Sequence, residues 1–285
     1  MNYVNCNLCP RQCGIDRTQG ELGYCRAPHK AVISKTMLHK WEEPVLSPKG
    51  KSGAVFFGGC NLGCVYCQNY AISRILQGKQ LDGVALRAEM ENLIAQGAEN
   101  IDLVSPTPYL PTVLEALDAP LPVPVVYNTG GYERVDAISA LKGKIDIYLP
   151  DLKYADNALA ANLSAAPDYF RAATAAIKEM VAQVGKPVFQ GEQLQKGVLI
   201  RHLVLPGQIE NSLKVLDWIG DTFAPGQVLV SLMRQYTPIS GMKAPFDRPI
   251  TEEEYDAVRS WMYLNDIHGF TQEATATGTN YIPDF

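Results

Sequence analysis

The sequence predicts an α/β protein: an open, partial (β/α)6 barrel of the TIM-like kind, preceded by a small cysteine-rich segment. Three observations lead there. From residue 53 onward, short apolar runs alternate with amphipathic stretches, the pattern of βα units on a parallel sheet. There are six such runs, too few for a closed eight-stranded barrel. All seven cysteines fall within the first 67 of 285 residues, ahead of or just inside the first unit.

In chain order, residues 1–28 combine Cys, Gly and Pro with little periodicity and read as a four-cysteine metal-binding segment. Residues 29–52 read as a linker, and 53–285 as the barrel with a C-terminal helix. The candidate strands are 54–57, 101–104, 123–127, 145–149, 198–200 with 203–205, and 228–232. Between them, Leu86, Met90, Leu93 and Ile94 recur at helical spacing. So do Ala173, Ile177, Met180 and Val184, and a shorter stripe of Leu213, Leu216, Ile219 and Phe223. These stripes are read as core. The last helix opens on a capping box of Thr251 and Glu254, with Ile250 stapled to Tyr255 and a stripe of Tyr255, Val258, Trp261 and Met262. The Pro/Gly-rich stretch 234–249 is expected to wrap one end of the barrel.

Composition narrows the function classes. A hydrophobic content of 47% describes an ordinary globule, and no run approaches the roughly 18 apolar residues of a membrane span. The start, Met1-Asn2-Tyr3-Val4-Asn5-Cys6, lacks the basic and apolar regions of a signal peptide, so a cytoplasmic protein is expected. Thiols stay reduced there, and clustered cysteines read as metal ligands rather than disulfides. The net charge of −5 argues against nucleic-acid binding. That charge is uneven: residues 1–51 carry eight Lys/Arg against four Asp/Glu.

Cys60, Cys64 and Cys67 form a C-x3-C-x2-C triplet in Gly58-Gly59-Cys60-Asn61-Leu62-Gly63-Cys64-Val65-Tyr66-Cys67-Gln68-Asn69. Three thiolates suit three irons of a [4Fe–4S] cube and leave the fourth iron open to a small molecule. A closed zinc site wants a fourth Cys or His, and none lies nearby. The spacing, the aromatic before the last cysteine and the apolar strand just ahead resemble the radical S-adenosylmethionine (SAM) superfamily. That resemblance implies the partial barrel of this type. It also implies a cluster that binds SAM and reduces it to methionine and a 5′-deoxyadenosyl radical, which abstracts hydrogen from a substrate. Tyr66 is then expected against the adenine, with Gln68 contributing a backbone contact.

In α/β barrels the functional groups gather on loops leaving the C-terminal strand ends. Here those loops carry Ser105 and Thr107, Asn128 and Thr129, Asp151 and Lys153, Arg201, and Gln235. Ser105-Pro106-Thr107-Pro108 stands where many radical SAM enzymes have Gly-Gly-Glu-Pro, a departure that leaves two readings of Ser105 and Thr107: hydroxyls that accept from the SAM amine in place of the carboxylate, or residues that simply form the turn. Asn128 and Thr129 suit ribose or carboxylate contacts. Asp151-Leu152-Lys153 and Arg201-x4-Pro206-Gly207 are similar to elements of glycyl-radical activating enzymes, with Lys153 and Arg201 facing anionic groups. His202 is read as structural.

Cys6-x2-Cys9-x3-Cys13-x11-Cys25 is a second, complete ligand set for zinc or for another [4Fe–4S] cluster. With Trp41-Glu42-Glu43-Pro44 and Cys67-Gln68-Asn69-Tyr70, it resembles the pyruvate formate-lyase activating enzyme-related radical SAM proteins, near the AmmeMemoRadiSam group. The resemblance covers most of the chain. It implies a radical SAM oxidoreductase, with a reductase, flavodoxin or ferredoxin as electron donor and a protein or peptide among the candidate substrates. Glycyl-radical activation is the alternative within this class. An iron–sulfur electron carrier or a zinc-stabilised binding module are the alternatives outside it.

Overall fold

The structure, a computed structural model, describes residues 2–272. The strands are β1 (Ala31–His39), β2 (Ser52–Phe57), β3 (Lys79–Leu81), β4 (Asn100–Val104), β5 (Val125–Thr129), β6 (Ile147–Pro150), β7 (Val188–Gln190), β8 (Gln193–Leu203), β9 (Leu229–Met233) and β10 (Gly269–Thr271). They join in one sheet of order β10-β9-β8-β6-β5-β4-β2-β1-β3, with β7 a hairpin partner of β8. The six strands read from the sequence are β2, β4, β5, β6, β8 and β9, all parallel to one another along this path. The pieces 198–200 and 203–205 belong to a single strand that ends at Leu203. Among the described residues the two ends of the sheet do not pair, so the barrel is partial, as predicted.

Residues 29–52, expected as a linker, carry a nine-residue strand of that sheet, β1, antiparallel to β2. Its burial does not alternate, because one half packs on the core and the other only partly. The helices are α1 (Gly83–Ala95), α2 (Leu110–Ala116), α3 (Val135–Ser139), α4 (Asn157–Ser164), α5 (Tyr169–Val184), α6 (Ile209–Thr222) and α7 (Glu252–Leu264). None of the described helices is long and apolar enough to cross a membrane. The capping box forms: Glu254 N donates to Thr251 Oγ1 at 3.2 Å, and Thr251 N to the Glu254 carboxylate at 2.9 Å. Such a cap is worth about 1 kcal/mol. α7 buries Tyr255, Val258 and Met262, while Trp261 is partly exposed and donates to Asp217 on α6 at 2.7 Å.

Two packing features position the site. The first fills the lumen at the N-terminal end of the strands. There Leu46, in the β1–β2 connection, is fully buried among Val126, Ile147, Leu149, Leu194 and Leu199. Leu194 N donates to Val45 O and Asn100 Nδ2 to Leu46 O, each at 2.7 Å, so the connection is pinned as a floor. The second is the N-terminal segment, whose Cys6, Leu8, Cys25 and Ala27 join the main core. Arg17 is buried with it, donating to Pro108 O at 2.5 Å beneath the Tyr3 ring. Such a guanidinium exchanges water for carbonyls, so its placement depends on those acceptors.

Candidate active site

The cysteine loop leaves the C-terminal end of β2 through Gly58-Gly59. Gly59 has φ +87°, and a Cβ there would stand 2.9 Å from Cys25 O, so only glycine allows the N-terminal segment this close. Each sulfur of the triplet has a polar neighbour. Leu62 N donates to Cys60 Sγ at 3.4 Å, Ser164 Oγ donates to Cys64 Sγ at 3.0 Å, and Ser73 Oγ lies 3.4 Å from Cys67 Sγ. Burial pushes the Cys60 thiol up to about 11, with the Cys64 and Cys67 thiols adding to the shift, and raises Cys67 in the same way. The Cys60 and Cys67 thiols, crowded and held neutral by burial, are relieved when a metal takes them as thiolates.

This donor set fits a [4Fe–4S] cube. Among the described residues no three His, Cys, Asp or Glu side chains converge on one point, as a single ion demands. A cube sets no such demand, because each thiolate takes its own iron. Hydroxyl and amide donors on the sulfurs are the contacts that tune such a group.

Beside the loop lies a cavity of about 220 Å³. Gln68, Asn128, Arg201 and Gln235 line it, four of the residues singled out in the sequence. Gln68 Nε2 donates to Gln235 O at 2.9 Å and so ties the cysteine loop to the end of β9. Arg201 is the hub of the polar wall. Its Nε lies 2.8 Å from Asp151 Oδ1, its NH2 donates to Asn128 Oδ1 at 2.7 Å, and its NH1 stands 3.9 Å from Glu42. Lys153 Nζ meets the other Asp151 oxygen at 2.5 Å. Burial works to raise Asp151, but the Arg201 and Lys153 cations overcome it and hold the carboxyl below its usual range.

The other predicted residues sit differently. Tyr66 is 6% exposed, its hydroxyl 2.6 Å from that of Tyr154 and its ring tilted against Tyr236. Thr107 and Thr129 both donate to the Glu133 carboxylate, the second at 2.5 Å, and neither lines the cavity. Burial pushes Glu133 up to about 7, against the pull of those two hydroxyls. Ser105 adopts φ +60° and its N donates to Asn128 O at 2.8 Å, making a turn. His202 is fully buried, with Nδ1 donating to Leu152 O and Nε2 2.9 Å from Ser212 Oγ. It is a structural contact, as read.

Sequence reasoning gave no chemical role to Glu42, Glu43 and Asp102. The first two line the cavity from the β1–β2 connection, and Asp102 reaches the same network through Asn128 Nδ2 at 3.2 Å. A signal existed for Asp102, an acid in the middle of the apolar run Ile101-Asp102-Leu103-Val104.

The four N-terminal cysteines share a neighbourhood behind the loop. Burial pushes Cys9 up to about 12, with Cys25 and Cys13 among the further causes, and burial raises Cys25 too. A Cβ on Gly23 would lie 2.8 Å from Cys13 Sγ, and Tyr24 N donates to that sulfur at 3.5 Å. Arg11, between Cys9 and Cys13, clasps this segment to the cysteine loop. It donates to Asn61 O at 2.9 Å, to Leu62 O and Ser164 O at 3.1 Å, and to Ala165 O.

No protein-family model matches the chain. Its fold is similar to that of a radical SAM methyltransferase from Sphaerobacter thermophilus, with a TM-score of 0.54 and 15% identity, over 81% of this chain and 67% of that one. That likeness is one of fold, the open α/β barrel of radical SAM enzymes. In sequence the chain is 31% identical over 266 residues to the uncharacterized protein MJ0674 of Methanocaldococcus jannaschii, covering 89% of this chain and 73% of that protein. The chain therefore belongs to the family of MJ0674, on a fold shared with radical SAM enzymes.

Proposed function

We propose that this protein is a radical SAM enzyme. The observation that carries the reading is the triplet Cys60, Cys64 and Cys67 on one loop at a C-terminal strand end, with each sulfur hydrogen-bonded and a polar cavity alongside. Cys60, Cys64 and Cys67 would hold a [4Fe–4S] cluster. When bound, that cluster supplies the electron for reductive cleavage of SAM. The chain's own residues do the rest. Gln68, Asn128, Arg201 and Gln235 offer donors and acceptors to a ligand in the cavity, Lys153 and Asp151 fix the Arg201 fork, and the Val45–Leu46 floor keeps bulk water from entering beneath. Ser164 and Ser73 place hydroxyls on the sulfurs.

On the four-cysteine motif ahead of the triplet, we read the chain as one of the pyruvate formate-lyase activating enzyme-related proteins. Cys6, Cys9, Cys13 and Cys25 are then a second metal site, for a [4Fe–4S] cluster or zinc, and reduced flavodoxin or ferredoxin is the expected donor.

The test is anaerobic reconstitution with iron and sulfide, metal analysis, and a SAM-cleavage assay with dithionite. The expected result is 5′-deoxyadenosine from the wild type and none from Cys64→Ala, with the far-UV spectrum of the variant unchanged. About eight irons per chain would assign a second cluster, and about four with one zinc a structural zinc site. Iron uptake without SAM cleavage would refute the reading in favour of an electron carrier.

A further inference from the structure

The lumen carries more acid than its own bases balance. Four carboxylates face it or its network: Glu42, Glu43, Asp102 and Asp151. Among the described residues two cations answer them, and both make their close contacts with Asp151: Lys153 at 2.5 Å and Arg201 Nε at 2.8 Å. Arg201 reaches Glu42 only at 3.9 Å. Asp102 is fully buried beside the Glu42 carboxyl, with one oxygen taking a hydrogen bond from Asn128 while the other, Oδ1, has no geometric hydrogen-bond partner among the described residues. His39, also on the cavity wall, adds no dependable charge, since burial lowers its pKa against the pull of Glu42.

Buried carboxylates without cations are costly, and a protein either protonates them or gives them a positive partner. Both pressures are visible here. Burial, with Glu42 beside it, pushes Glu43 up to about 7, and burial with Glu42 raises Asp102 well above the carboxylate range. The geometry is not that of a solvated acidic patch. Glu42 has a side-chain exposure of 10% and lines the cavity three residues ahead of the Val45–Leu46 floor. Trp41 lines the same cavity, and an indole next to two carboxylates suits a cation.

We propose that this cavity takes a substrate bearing a compact organic cation, a primary ammonium or a guanidinium, held by Glu42 and Glu43 at the floor with its carbon chain directed towards the cysteine loop. The inference rests on the proposed function for the fate of that substrate, but the binding step stands apart from it. The cation can come from a free amine or from a lysine or arginine side chain of a peptide, and the test separates the two.

The full chain, reconstituted anaerobically and saturated with SAM, is titrated calorimetrically with n-butylammonium, methylguanidinium, n-butanol and butyrate. A blocked tripeptide, acetyl-Gly-Lys-Gly-amide, forms a further arm. The expected result is binding of at least one cation and neither neutral nor anionic probe. Glu43→Gln and Glu42→Gln should each weaken that binding about tenfold or more, the loss of one charge-assisted hydrogen bond. Glu43→Asp should keep part of it. Tighter binding of the tripeptide than of the simple cations assigns a peptide side chain, and the reverse assigns a free amine.

Equal binding of butyrate, or unchanged cation affinity in both glutamine variants with native far-UV spectra, would overturn the inference. So would cations that bind only when SAM is left out, since Glu42 and Glu43 would then be serving the SAM ammonium. Failure of the radical SAM reading would show elsewhere, as absent SAM cleavage with cation binding intact.

Discussion

Arg201 gives the sharpest test of the lumen's electrostatics. Its side chain is 18% exposed and is the shared partner of Asp151, Asn128 and Glu42. Burial works against its charge, and the Asp151, Glu42, Glu43 and Asp102 carboxylates more than compensate, so its pKa is raised. Arg201→Gln keeps a hydrogen-bonding head but leaves Asp151 with Lys153 alone and the other three carboxylates with no cation within the network. Removing one partner of a buried ion pair costs about 3–5 kcal/mol. The residual exposure favours the lower end, about 3 kcal/mol, a large share of the roughly 5–15 kcal/mol that holds a folded chain together.

The assay is urea unfolding at pH 7 followed by far-UV circular dichroism, with a double-mutant cycle adding Asp151→Asn. Once Asp151 is neutral it no longer requires Arg201, so the double variant should cost clearly less than the sum of the single ones. An Arg201→Gln variant within about 1 kcal/mol of wild type, or a strictly additive cycle, would refute the argument that this guanidinium neutralises the wall.

Two further outcomes follow from buried groups. Burial lowers His202 from an ordinary 6.5 to about 4. Between those values the unfolded chain binds a proton that the folded chain does not, so stability is full above pH 6.5 and falls as pH drops towards 4. The loss should be roughly 2 kcal/mol between pH 7 and pH 5, read from urea midpoints, and His202→Gln should remove most of that slope. Arg11→Met removes a donor from each of four main-chain carbonyls at 61, 62, 164 and 165, leaving Leu62 O with Tyr24 Oη. Hydrogen exchange should speed up in segments 6–14 and 60–63 while the parallel strands keep their protection.

What the sequence made legible is what local rules encode. Apolar runs are self-announcing when a strand is buried on both faces, so all six parallel strands could be read, and a Thr-x-x-Glu pair fixes a helix start without tertiary help. Cysteine spacing is equally local. β1 escaped because its outer half is only partly buried and it contains Lys35 and Thr36 among its apolar residues, which blurs any period. Trp41-Glu42-Glu43-Pro44 carried only a family resemblance inside an expected linker, and nothing nearby in sequence says that it lines a cavity. Asn128, Arg201 and Gln235 were found by position at strand ends, a topological rule, and they do share one cavity. The same rule selected Thr107 and Thr129, which the fold uses on Glu133 instead, a residue four positions beyond Thr129 whose burial only the tertiary structure reveals.

The lumen is closed by two unlike devices, and the difference bears on function. Its floor is a continuous apolar plug, Val45 and Leu46, fixed by main-chain hydrogen bonds from β4 and β8 side chains and backbone. Its other end is a loop of glycines and cysteines held from behind by one arginine and by a segment that has its own four thiols. A packed apolar floor is insensitive to metal and redox state. The cysteine loop is sensitive, because its backing segment has only a few buried apolar residues and depends on whatever its thiols bind. The arrangement therefore puts the fixed charges, Glu42 and Glu43, on the rigid side and the metal-dependent geometry on the other. A substrate anchored at the floor keeps its position while the loop adjusts above it, which is the division that positioning a reactive carbon against a cofactor requires.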